Sequence, residues 1–138
     1  MPDKEFVLDP RLEADSIVVC TLDLCCVRLM KNATYPWLLL VPQKADLVEL
    51  IDLDRPERME LMDEIALASR ALKSATGCYK LNVAALGNQV SQLHIHVIAR
   101  IRDDPAWPGP VWGKESPVAW DTERLENLIK ALKGHMGV

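Results

Sequence analysis

The chain has 138 residues, of which 49% are hydrophobic and 26% charged, with a formal net charge of -4. That size and balance describe one soluble domain with a modest core, and they exclude a nucleic-acid polymer as partner, which would require a basic stripe. No apolar run approaches membrane-spanning length, and the start Met1-Pro2-Asp3-Lys4-Glu5 lacks the basic-then-apolar order of a secretory leader, so a cytoplasmic location with no membrane partner is expected.

In chain order, a short helix is expected at residues 11–15, after Pro10. Residues 17–22 are rich in β-branched side chains, and the run 25–30 follows Asp23 closely enough to close a hairpin. Tyr35-Pro36 ends a polar loop, after which residues 37–41 are apolar up to Pro42, the pattern of a central strand covered on both faces. Residues 46–53 read as a short helix and connection. Asp54, Pro56 and Glu57 then supply the elements of a capping box, opening a long helix that Gly77 stops. Met59, Met62, Ile65, Ala66, Ser69 and Leu72 are assigned to its core face, with the methionines as filler, and Arg58, Glu60, Asp63, Glu64, Arg70 and Lys73 to solvent.

Residues 79–86 give a fourth strand and 92–101 a fifth. Pro105, Pro108 and Pro110 deny regular structure to the segment that holds Trp107 and Trp112. Residues 121–133 form a second helix with Leu125, Leu128, Ile129 and Leu132 on one side, and His135 falls in a frayed tail. The outcome is an α+β domain: a mostly antiparallel five-stranded sheet, one long helix and a short C-terminal helix. Cys20, Cys25, Cys26 and Cys78 lack Cys-x-x-Cys spacing and read as small buried hydrophobes in a reducing compartment, so neither zinc nor disulfides are expected.

The most informative stretch is residues 87–100, Gly-Asn-Gln-Val-Ser-Gln-Leu-His-Ile-His-Val-Ile-Ala-Arg. Gln92, His94 and His96 alternate with Leu93, Ile95 and Val97, so the three polar groups share one strand face and the aliphatics take the other. Two imidazoles on a strand face are costly unless that face lines a site or meets water. An imidazole can attack phosphorus at neutral pH, because much of it is unprotonated and its nitrogen is nucleophilic without a separate base.

This stretch resembles the signature strand of the histidine-triad (HIT) nucleotide hydrolases and transferases, in which a glycine-polar turn leads into His-x-His-x-His. Aligned from Gly87, the triad positions fall on Gln92, His94 and His96, a Gln-x-His-x-His variant. The resemblance covers residues 1–113 as a HIT domain, with 114–138 as a helical extension packed on it. It implies that His94 attacks the α-phosphate of a nucleotide derivative, that a backbone carbonyl fixes its tautomer, and that His96 stabilises the developing charge on the phosphoryl oxygens. Gln92 can hydrogen-bond but cannot carry a proton; if position 92 takes part in proton transfer, Gln92→His raises turnover.

The resemblance further implies that Gly87, Asn88 and Gln89 cradle phosphate, that Asn82 and Asn32 contact the nucleotide, and that Trp107, in Trp107-Pro108, reaches a partner's active site in a homodimer. Trp37 stands where many members have a histidine and is expected to pack. Candidate substrates are dinucleoside polyphosphates, such as diadenosine polyphosphates, and nucleoside phosphoramidates, with no cofactor. The alternative is a catalytically weak purine-nucleotide-binding module. A metal pair at His94 and His96 needs further ligands, and the remaining histidine, His135, is remote in sequence.

Overall fold

A computed structural model describes residues 4–114 and 117–138. Helix α1 (Pro10–Asp15) leads into β1 (Ser16–Thr21), β2 (Cys25–Met30) and β3 (Trp37–Pro42); helix α2 (Arg55–Thr76) follows a single 3-10 turn, Leu50–Asp52, and β4 (Lys80–Ala84), β5 (Ile95–Arg100) and α3 (Thr122–Met136) complete the chain. The five strands form one antiparallel sheet in the order β1-β2-β3-β5-β4. The expected α+β architecture is therefore present.

Each strand's alternation sends one set of side chains under the helices and the other to the opposite face. Val27, Leu29, Leu38, Leu40, Ile95 and Val97 join Leu61, Ala68 and Leu72 of α2 and Leu132 and Met136 of α3 in the main core. The second face carries Cys26, Trp37, Leu39, Val41 and Ile98, covered by Leu12, Tyr35, Ala106 and Val111. Both central strands, β3 and β5, are thus buried on both sides. Cys25 lies in the main core, where burial pushes its thiol pKa up; Cys26 and Cys78 are buried as well.

Helix α2 starts as the capping residues dictate. Asp54 accepts from the Glu57 amide at 2.9 Å and Glu57 reciprocally accepts from the Asp54 amide at 2.9 Å, while Gly77 closes the other end with φ 65°. Its inward face differs from the sequence assignment. Met59 and Met62 are 60% and 62% exposed, and the buried positions are Leu61, Glu64, Ala68, Ala71 and Leu72. The cause is Glu64: its two oxygens accept the amides of Leu24 and Cys25 at 2.9 and 2.8 Å, closing the β1–β2 turn, and this rotates the helix so that Leu61, Ala68 and Leu72 follow it inward. Two charge-assisted bonds, each worth about 1.5–3 kcal/mol, outweigh the burial of two methionine side chains that keep part of their contact on the surface.

Two further boundaries are corrected. Strand β5 begins at Ile95, not at residue 92, because the Leu93 amide bonds to the Leu47 carbonyl at 2.9 Å instead of joining the ladder. Helix α3 runs through His135 to Met136, which is buried, so the C-terminus is anchored and His135 sits exposed in a final helical turn. The segment after β5 is irregular, as its prolines require, and it crosses the second face of the sheet with Val111 fully buried.

Candidate active site

His94 and His96 project from the second face at the start of β5, and both are almost wholly buried, at 6% and 7% exposure. Their rings meet edge to face at 4.9 Å. They line a cavity of about 550 Å³ with Leu12, Asp15, Met30, Leu39, Trp37 and Trp112, closed on one side by the turn Leu86, Gly87, Asn88, Gln89 and Val90. Gly87 has φ 74°, and a β-carbon there would meet nothing closer than 3.7 Å, so glycine is required for the backbone conformation rather than for space. A smaller depression of about 240 Å³, rimmed by Val48, Leu50, Ile51 and Leu86, adjoins on the other side of His94.

The two imidazoles are held in opposite tautomers. His94 Nδ1 lies 2.6 Å from the Gln92 carbonyl, which can only accept, so Nδ1 carries the hydrogen and Nε2 keeps its lone pair. For His96 the partner is the Trp37 indole, which can only donate: Nε1–H reaches His96 Nδ1 at 3.0 Å, leaving the hydrogen of neutral His96 on Nε2. Trp112 packs edge-on against both His96 and Trp37, at 5.2 and 5.9 Å between ring centroids. Burial among these rings, with His94 beside it, lowers the His96 pKa from 6.5 to about 4.

That displacement makes stability depend on pH in a definite direction. Between pH 4 and 6.5 the unfolded chain binds a proton at residue 96 that the folded chain refuses, so stability is full above pH 6.5 and declines as the pH falls towards 4. From pH 7.5 to 4.5 the expected loss through this group is about 2–3 kcal/mol. Urea unfolding of the wild type and of His96→Asn at the two pH values checks it: the variant should lose less by that amount, and equal losses would refute the assignment.

Gln92 does not face the cavity as a third member of a row. Its Oε1 accepts the Asp9 amide at 2.8 Å and its Nε2 donates to the Val7 carbonyl at 2.9 Å, so both ends of the amide fasten the N-terminal segment to the residue whose carbonyl holds His94. Arg11 reinforces this join, donating to the Gln89 carbonyl at 3.0 Å while pairing with Asp9, whose carboxyl it holds below the usual range. Asn32 and Asn82 do not line the cavity. The Asn32 side-chain oxygen accepts the amides of Thr34 and Val118 at 3.0 and 3.1 Å, and that of Asn82 accepts from Arg100 at 2.7 Å.

Trp107 also lies outside the cavity in this chain, edge to face with Tyr79 at 5.7 Å and with the Arg100 guanidinium over its ring at 5.6 Å. The tryptophan that this segment brings to the site, beside Trp37, is Trp112, five residues on. From sequence, Trp112 reads as a cover for the sheet edge or, by its proline-rich setting, as part of an interface, and Asp15, Asp9 and Arg11 carry no signal of a role at the site. Among the described residues, no group of three or more histidines, cysteines or carboxylates could hold a metal ion. The two imidazoles themselves do not suit one, since His96 turns a protonated nitrogen to the cavity.

A family profile for the HIT domain matches residues 11–103. Among solved structures, the chain is similar to a histidine triad protein from Bradyrhizobium japonicum, at 50% identity and a TM-score of 0.95 over 96% of this chain and 99% of that one. It is also similar to a histidine triad (HIT) protein from Sinorhizobium meliloti 1021, at 46% identity and 0.91 over 94% and 96%, and to a histidine triad protein from Marinobacter aquaeolei VT8, at 40% identity and 0.92 over 97% and 98%. No curated protein matches the chain. The sequence resemblance stops at residue 113, whereas these structural matches extend into α3. With a profile spanning more than half of its length and relatives of 40–50% identity over nearly all of it, the chain belongs to the HIT family, whose members are generally nucleotide-binding hydrolases and transferases.

Proposed function

We propose that this protein is a nucleotide hydrolase or nucleotidyl transferase that cleaves at the α-phosphate of a purine nucleoside phosphate derivative, a dinucleoside polyphosphate or a nucleoside phosphoramidate, and that residues 92–96 are a Gln-x-His-x-His form of the triad. The observation that carries this reading is the 2.6 Å bond from His94 Nδ1 to the Gln92 carbonyl, which commits Nε2 to the cavity as a nucleophile. His94 Nε2 bonds to phosphorus as the leaving group departs with its electron pair. Water then attacks phosphorus, the P–N bond breaks with its electrons returning to Nε2, and the water proton passes to solvent. The nucleoside monophosphate is released.

His96 Nε2–H donates to the phosphoryl oxygens, and the backbone of residues 87–90 supports the phosphate from the other side. The cavity beyond, with Leu12, Met30, Leu39 and Trp112, has the apolar and aromatic lining that a purine requires. For the assembly we propose a homodimer: β4 is an edge strand, and Val83 on it and Tyr79 just before it are exposed. Sedimentation of the purified chain tests this directly.

The activity test is AMP release from diadenosine tetraphosphate and from an adenosine phosphoramidate, with samples quenched in denaturant at alkaline pH, where a P–N bond to histidine survives, and weighed for a protein adduct of one AMP. Release accompanied by an adduct on the peptide containing His94 is expected; AMP binding without release would leave a binding module. Because both ends of the Gln92 amide are already bonded to backbone, Gln92→His should bring no gain in turnover and a loss of about tenfold as residues 7–9 detach. A rise in kcat would restore position 92 to proton transfer.

A further inference from the structure

We infer that Trp37 is a positioning residue that fixes His96 as a neutral hydrogen-bond donor unable to give up its proton, and that the enzyme therefore selects phosphoanhydrides, whose leaving groups depart as anions, over phosphoramidates. The inference rests on the hydrolase reading above and narrows its substrate class. It begins from the single hydrogen bond between Trp37 Nε1–H and His96 Nδ1. An imidazole acts as a general acid at neutral pH when it is cationic, or when its second nitrogen can collect a proton as the first gives one away. His96 is denied both routes. Its Nδ1 lone pair is engaged by an N–H that does not ionise in water, and losing the Nε2 proton would leave an imidazolate.

Among the described residues, no neighbour supplies the missing proton. The rings in contact with His96 are His94, Trp37 and Trp112, and His94 keeps its hydrogen on the nitrogen facing the Gln92 carbonyl. Gln92 is an amide committed to the N-terminal segment. Asp15 lines the cavity as an exposed carboxylate, Glu49 lines the depression on the other side of His94 and not the cavity that holds His96, and Arg28, in the same row of the sheet, is bonded to Ser16. The leaving oxygen of a phosphoanhydride needs no proton, because a phosphate or nucleotide leaves as a stable anion. An amine expelled from a phosphoramidate must be protonated as the P–N bond breaks.

Two measurements test this on the wild-type protein, so a variant that fails to fold does not decide it. The first is the ring-nitrogen NMR of His96 near pH 7, which reads the tautomer without any activity. A protonated Nε2 and an unprotonated Nδ1 are expected, and a hydrogen on Nδ1 would overturn the proposal. The second is kcat/KM over adenosine 5′-aryl phosphates with phenols of graded acidity, beside diadenosine tetraphosphate and an adenosine phosphoramidate. We expect a fall of about tenfold per unit of leaving-group pKa, as a loose transition state without acid catalysis requires, and an anhydride preference on the order of 10³. Trp37→His, which can relay a proton, should flatten that slope. A flat wild-type series, or a phosphoramidate turned over as fast as the anhydride, would overturn the proposal. Absence of release from every substrate would remove the hydrolase reading and the preference together, whatever the tautomer.

Discussion

Replacing His94 with alanine should reduce AMP release by about 10⁴-fold or more while AMP still binds within about threefold of wild type. The asymmetry follows from what the side chain touches. His94 contributes its Nε2 lone pair and one edge-on ring contact to the cavity, whereas the apolar lining and the 87–90 turn are built from other residues. On the proposed route, removing His94 thus deletes an interaction made only along the reaction path and leaves ground-state binding nearly whole. Single-turnover AMP release with isothermal titration of AMP checks both halves. Residual turnover within tenfold of wild type would mean that water attacks directly, and a parallel loss of binding would place His94 in recognition instead. A chelator arm belongs in the same experiment: activity that needs His94 and is unchanged by chelator supports the nucleotidyl-histidine route.

The second large effect concerns the segment that brings Trp112 to the site. Arg100 is 1% exposed, yet every part of its guanidinium is matched: Nε and Nη2 donate to the two Asp104 oxygens at 2.7 and 3.0 Å, Nη1 to Asn82 at 2.7 Å, and Nη2 also to the Gly109 carbonyl at 2.8 Å. Tyr35 and Trp107 flank it. Asp104 is nearly as buried, its carboxyl held below the usual range by Arg100, and it accepts the amides of Ala106 and Trp107 besides. Together they fold the irregular segment back over the sheet.

Arg100→Met keeps most of the volume but strands the Asp104 charge, so it should cost about 3–5 kcal/mol in urea unfolding and lower activity through displacement of Trp112. The double variant Arg100→Met with Asp104→Leu should recover part of the loss, since no unpaired charge then remains. A cost below about 1 kcal/mol for the single variant would show that the segment is held by Ala106 and Val111 alone.

Several features were legible without coordinates because their causes are local. The capping box of Asp54 and Glu57, the stop at Gly77 and the prolines of the 105–113 segment act over three or four residues. The apolar run of β3 reports burial on both faces by composition alone, whereas β5 alternates as a half-buried strand would and is covered on its polar face only in the folded chain. Alternation also placed His94 and His96 on one face, and the pattern around them carried the family.

What the sequence by itself determined was the set of elements, the antiparallel α+β class and the two imidazoles with their shared direction. Tertiary structure decided everything that depends on a partner distant in the chain. Glu64 reads as a solvent-facing helix residue until the amides of Leu24 and Cys25, some forty positions away, turn it inward and push Met59 and Met62 out. Gln92 reads as a third site residue until Val7 and Asp9 claim both ends of its amide. Trp37 reads as packing until its indole meets His96 across neighbouring strands, 59 residues apart. Periodicity describes which way a side chain points, but a hydrogen bond is specified by the atom at its other end, and only the folded chain supplies that atom.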